Sequence, residues 1–159
     1  VKHTPFTASH FRNVLSQFAT GVTVITTRLE NGQFLGITAS SFNSVSLNPP
    51  LVLWSLSEKA TSLPVFTVNS HYVINILAAG QTRLARQFSR PSKDRFSGVE
   101  FTLSANGLPI LNGAAAWLEC RNRSRYPEGD HVIFVGEVEQ CEFTPGAPLI
   151  FHDGQLLSS

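Results

Sequence analysis

At 159 residues, with 42% hydrophobic and only 14% charged residues, the chain has the size of one domain (1–159), able to bury roughly 70% of its unfolded surface. Twelve Lys and Arg against eleven Asp and Glu leave a net charge of +1. That excludes a basic footprint for nucleic acid and a polybasic patch for an anionic membrane, and no run approaches the ~18 apolar residues of a membrane helix.

Phe11, Val14, Leu15 and Phe18 recur at helical spacing, so the first predicted element is an amphipathic helix, capped by Thr7 or Ser9 and ended by Ala19-Thr20-Gly21. Val22 to Leu29 is rich in β-branched residues, and Asn31-Gly32 marks a hairpin turn before a strand over Phe34 to Ser41. Leu51 to Leu56 reads as a short buried strand. A short helix fits Ala60 to Asn69 with Pro64 in its first turn, then a strand over His71 to Ala78. Gln81 to Arg90 suits a helix stopped by Pro91, with Leu84, Ala85 and Phe88 inward. Lys93 to Leu103 is loop-like. Ala114 to Arg125 and His131 to Phe143 are long strands joined through Tyr126 to Asp130, and Pro148 to His152 is a last short strand before a polar tail. Six or seven strands joined by hairpins, with two or three helices, imply a mainly β fold: a closed antiparallel barrel with helices outside.

Cys120 and Cys141 lack a CxxC partner or a histidine at metal spacing and are expected as buried free thiols. The five histidines form no metal set, so no metal is expected. The start, Val1 to Pro5, lacks the apolar core of a signal peptide, and a cytoplasmic location is expected. Trp54 and Trp117 sit in strand-like runs and are expected in the core. No GxGxxG, GxSxG, HExxH or P-loop occurs.

Chemistry concentrates in a few places. Thr38, Ser40 and Ser41 end one strand, Ser55 and Ser57 another, and Thr61 and Ser62 follow at a helix start. If those strands are neighbours, the hydroxyls and loop amides converge and can cradle a phosphate; the same residue types are also ordinary loop formers and caps. Lys93 and Arg95, past a helix stop, offer positive charge or a solvated surface. Arg83, Arg86 and Arg90 read as a solvated helix face. His131 opens an apolar strand after Gly129-Asp130, where it can orient an amide ligand or move a proton near neutral pH. Asp130 and His131 are adjacent, and adjacent strand residues point to opposite faces, so no direct pair between them is expected.

The runs F-A-T-G-V-T-V-I-T-T (Phe18 to Thr27), G-I-T-A-S-S-F-N-S-V-S-L-N-P-P-L-V-L (Gly36 to Leu53), N-I-L-A (Asn75 to Ala78), W-L-E-C (Trp117 to Cys120), G-D-H (Gly129 to His131) and P-L-I-F-H-D-G (Pro148 to Gly154) together resemble the flavin reductase family of FMN-binding split barrels. These are the reductase components of two-component flavin-dependent monooxygenases. The resemblance implies an NAD(P)H:flavin oxidoreductase that reduces FMN or FAD with NADH or NADPH and supplies reduced flavin to a partner monooxygenase. It implies that Thr38, Ala39, Ser40 and Ser41 lie along the flavin ring and ribityl chain. Ser55, Leu56 and Ser57 would line the ring edge, and Ala60, Thr61 and Ser62 the phosphate, with Lys93 and Arg95 adding charge. His131, Phe151 and His152 would meet the nicotinamide, with His131 the catalytic candidate. A homodimer is implied as well. Relatives carry Tyr where this chain has Phe151, and an aromatic where it has Leu156. The rival expectation is a non-catalytic flavin- or haem-binding protein on the same split barrel.

Overall fold

The structure is a computed structural model and describes residues 5–158. Val1 to Thr4, read above for a missing signal core, and Ser159 lie outside the described residues. In chain order the elements are α1 (Ala8–Leu15), β1 (Thr20–Gly21), β2 (Thr23–Arg28), β3 (Phe34–Ala39), β4 (Asn43–Leu47), β5 (Pro50–Ser57), α2 (Leu63–Val68) and β6 (His71–Ile76). They continue with α3 (Thr82–Gln87), β7 (Phe101–Leu103), β8 (Pro109–Leu111), β9 (Ala116–Glu128), β10 (His131–Phe143), β11 (Leu149–His152) and β12 (Gln155–Ser158).

Seven strands form the main sheet in the order β3-β2-β6-β9-β10-β5-β4, every neighbouring pair antiparallel. Its central hairpin, β9–β10, turns at Gly129, whose φ of 60° suits a residue without a Cβ. One face of this sheet wraps a core of Ile25, Ile37, Trp54, Tyr72, Ile74 and Phe134. Trp54 stacks on Phe134 at 4.5 Å and meets Phe66 of α2 edge-on at 5.0 Å, so α2 contributes its one buried residue to the same core. The space there is tight: a Cβ at Gly136 would stand 2.6 Å from the Tyr72 hydroxyl. The other face of β2 is buried too, because Val22 and Val24 pack with Leu77, Ala85, Phe88 and Leu149. Coverage on both faces explains why β2 reads as a continuous β-branched run and not as an alternating one.

The expected closed barrel takes a looser form. The end strands β3 and β4 share no backbone ladder, and the sheet is open between them. The gap is crossed by a side chain: Ser41 Oγ accepts from the Ser55 amide at 2.9 Å and donates to the Ser55 carbonyl at 3.1 Å. What stands is a mainly β fold with a few helices.

Other expectations shift as well. The polar tail is strand β12, folded back on β11 through Asp153-Gly154, which carry φ of 50° and 75°. That is the Asp-Gly hairpin signal, present in the sequence and not used there. β7 lies in the stretch expected as loop, and β4 and β8 fall where the sequence predicts no element. Cys120 is buried and its thiol is pushed up to about 12 by desolvation, but Cys141 is exposed, on the outer end of β10. Trp54 is fully buried, whereas Trp117 is only half-buried. Helix α1 buries none of its residues, and Thr7 caps it by accepting from the His10 amide at 3.0 Å. No helix among the described residues is long and apolar enough to cross a membrane.

Candidate functional site: a cleft between β3, α3 and the β11–β12 hairpin

Strand β3 loses its β-branched character at Ala39-Ser40-Ser41, and the chain leaves the ladder there. Its end faces α3: Thr38 Oγ1 donates to the Ala85 carbonyl at 2.6 Å, and the Thr38 amide to the Phe88 carbonyl at 3.3 Å. The third wall comes from far along the chain, since β1 pairs Thr20 with Phe151 of β11. Together they bound a cleft of 560 Å³ whose lining includes Thr38, Ser40, Arg86, Ser89, Phe151 and Leu156. A second depression, on the α1 side, shares Ser40, Phe151 and Gly154 with it and adds Thr20.

The polar groups here are open to a ligand. Thr20 Oγ1 is buried without a hydrogen-bond partner, a cost a native fold ordinarily avoids unless something else fills the valence. Among the described residues no acceptor is found for the Ser40 and Ser41 amides. Arg86 is exposed, and none of the ion pairs among the described residues uses it. Donors, a cation and an aromatic wall suit a planar heterocycle with acceptor edges and a phosphate tail.

A second group lies across the Ser41–Ser55 clasp. β5 and β10 pair Ser57 with His131 and Ser55 with Ile133. His131 is exposed, and its Nδ1 lies 2.7 Å from Asp130 Oδ1. The expectation against that pair fails because Asp130 sits in the turn before β10, outside the alternation that separates strand neighbours. The hydrogen bond from His131, then its charge, hold the Asp130 carboxyl below its ordinary range. With Nδ1 turned to the carboxylate, Nε2 is left for a ligand. His131 lies outside the lining of the 560 Å³ cleft.

The remaining candidates are placed as follows. Ala39 ends β3, and its carbonyl accepts from Thr23 Oγ1 at 2.7 Å. Leu56 turns into the core at 9% exposure, so its side chain is directed away from the surface. Ser57 Oγ accepts from the Lys59 amide at 3.2 Å. Ala60 packs against the core, Thr61 is exposed, and Ser62 is buried at the start of α2. Lys93 is exposed. Arg95 Nη1 donates to the Gly36 and Phe88 carbonyls, both at 3.1 Å, which ties that group to the fold. His152 is half-buried beside Gln155 in the hairpin. Arg86, Ser89, Gln155 and Leu156 entered the cleft without being expected there. Only the docking of α3 and of the terminal hairpin reveals them. Among the described residues no group of His, Cys, Asp or Glu is placed to hold a metal ion.

A mainly β fold with a donor-lined cleft of this kind belongs to a known class: residues 15–158 match the flavin reductase like domain, and the chain is a member of that family. It is similar to FMN reductase (NADH) SmoA of Agrobacterium fabrum, 40% identical over 91% of this chain and 82% of the relative. It is also 39% identical to the reductase component of a flavin-dependent trigonelline monooxygenase of Acinetobacter baylyi, over 90% of this chain and 46% of that one. Among solved structures it superposes on the Streptomyces globisporus NADH:FAD oxidoreductase SgcE6 in complex with NAD and FAD fragments. The TM-score is 0.89, with 38% identity over 93% of this chain and 90% of that chain.

Proposed function

We propose that the protein is an NAD(P)H-dependent flavin reductase that reduces FMN or FAD and passes the reduced flavin to a partner monooxygenase. The observation carrying this reading is the cleft at the end of β3, lined by Thr38, Ser40, Arg86 and Phe151, with the unpartnered Thr20 hydroxyl in the depression that adjoins it. Family membership and relatives named as flavin reductases and monooxygenase reductase components support it.

When bound, the flavin supplies the ring that accepts hydride from the reduced nicotinamide. The Ser40 and Ser41 amides donate to the ring edge, where negative charge grows during reduction, and as backbone groups they need no reorganisation. Arg86 neutralises the phosphate tail, and Phe151 gives the ring an apolar wall. Thr38 holds α3 against β3 through its bond to Ala85, keeping Arg86 in reach. His131, oriented by Asp130, offers Nε2 to the nicotinamide carboxamide. With Nδ1 donating to Asp130, Nε2 is the ring nitrogen that faces the carboxamide. Ser55 and Ser57 lie on β5 between His131 and the Ser41 seam.

We read the whole chain as one domain of the split-barrel type, the open seam at Ser41 being the split. We also read it as a homodimer. Phe11, Val14 and Leu15 of α1, Phe18 after it and Leu47 of β4 are all exposed, Leu47 at 95%, and a second copy would cover them. A cytoplasmic setting fits two cysteines that are both free thiols.

The test is a reduced-nicotinamide oxidation assay with added FMN or FAD. Flavin-dependent loss of the reduced-nicotinamide absorbance is expected. Tight flavin retention with no oxidation of either NADH or NADPH overturns the reading in favour of a non-catalytic binder.

A further inference from the structure

Arg86 belongs to two clefts at once. It lines the one described above and a second of 580 Å³ on the other side of α3, bounded by Thr82, Arg83, Gln87, Arg90 and Ser92. Arg83, Arg86 and Arg90 recur at i, i+3 and i+7, so three guanidinium groups share one side of α3 and the turn after it. All three are exposed, and none enters an ion pair or a side-chain hydrogen bond among the described residues. Each keeps its five donors for solvent or ligand. Three unneutralised cations along one groove concentrate anions there.

The groove has a fixed far wall. Gln87 Nε2 donates to the Arg95 carbonyl at 2.6 Å and to the Ser97 carbonyl at 2.9 Å, which pins the segment after Pro91 beside the helix. A mononucleotide in the first cleft has one phosphate, which Arg86 can meet. Arg83 and Arg90 lie beyond it and have no part in that arrangement.

We propose that Arg83 and Arg90 seat a further phosphoryl group of a dinucleotide that reaches α3 from the site at the end of β3. The inference rests on the flavin reading above. Two sources share this chemistry: the adenylate arm of FAD, and the ribose phosphate that distinguishes NADPH from NADH.

The experiment compares the parent, R83A/R90A and R83K/R90K. FAD and FMN are titrated by fluorescence quenching, NADPH and NADH by calorimetry. Losing two charge-assisted contacts is expected to weaken one of FAD or NADPH about tenfold. FMN and NADH should change by less than about twofold, and the lysine variant, which keeps charge without the planar fork, should fall between. A loss confined to FAD assigns the adenylate arm; a loss confined to NADPH assigns the ribose phosphate. Equal affinities in parent and R83A/R90A for all four ligands, or a uniform loss for all four, overturn this inference and leave the flavin reductase reading standing. A parent that binds neither flavin overturns both.

Discussion

His131 is the side chain whose chemistry depends most on its immediate neighbour. Asp130 accepts from Nδ1 at 2.7 Å, so the ring is held in one orientation with Nε2 outward, although both residues are exposed. His131→Ala is therefore expected to slow flavin reduction by about tenfold or more, within the range for a positioned acid–base or hydrogen-bonding group. Flavin affinity should stay within about twofold, since His131 lies outside the cleft lining. Asp130→Ala should act in the same direction and by less, because the ring remains but its tautomer is no longer chosen. Stopped-flow absorbance separates these effects, and an unchanged reduction rate in His131→Ala removes the residue from the mechanism. The histidine was legible in the sequence from its place at the head of an apolar strand. Its partner was not, because strand alternation was extended one residue too far, into the turn.

Between elements, the seam at β3 and β5 is the weak line of the sheet. Where β3 and β4 have no ladder, the Ser41 hydroxyl makes both a donated and an accepted bond to the Ser55 backbone. Ser41→Ala removes two such bonds, each worth about 0.5–1.5 kcal/mol net. It should lower the urea midpoint and weaken FMN binding together, because the Ser40–Ser41 amides move with the seam. Ser57→Ala, whose hydroxyl only accepts from Lys59, should cost less stability. A Ser41→Ala protein as stable as the parent, with equal fluorescence-quench titrations, would remove the clasp from both roles. The sequence marked Ser41 as polar and near a strand end. That its partner is the Ser55 backbone follows from the curvature of the sheet, which no local pattern encodes.

For the whole molecule, exposed apolar area is the feature that one copy leaves unexplained. A helix with Phe11, Val14 and Leu15 on its surface and a strand with Leu47 at 95% exposure are poor solutions for a chain in water. Light scattering is expected to give twice the chain mass of 17.4 kDa. Leu47→Asp should shift the distribution toward one copy by placing a charge in the covered face. A parent that elutes and scatters as a monomer at micromolar concentration sinks the dimer reading.

Local chemistry was enough for the longer strands, the helices and the polar cluster at the end of β3, because alternation, β-branching, Asn-Gly turns and Pro stops act over a few residues. The resemblance carried by the runs around Gly36 to Leu53 points to flavin chemistry from the sequence alone. Tertiary structure alone decided which side chains meet: it left the sheet open at Ser41 and brought Arg86 and Phe151 into one cleft. It also left the apolar face of α1 exposed. The walls of the cleft come from residues far apart in the chain, Thr38 and Ala85 for instance being 47 positions apart. They depend on how a twisted sheet curls and where its covering elements dock, and short-range patterns carry no record of either.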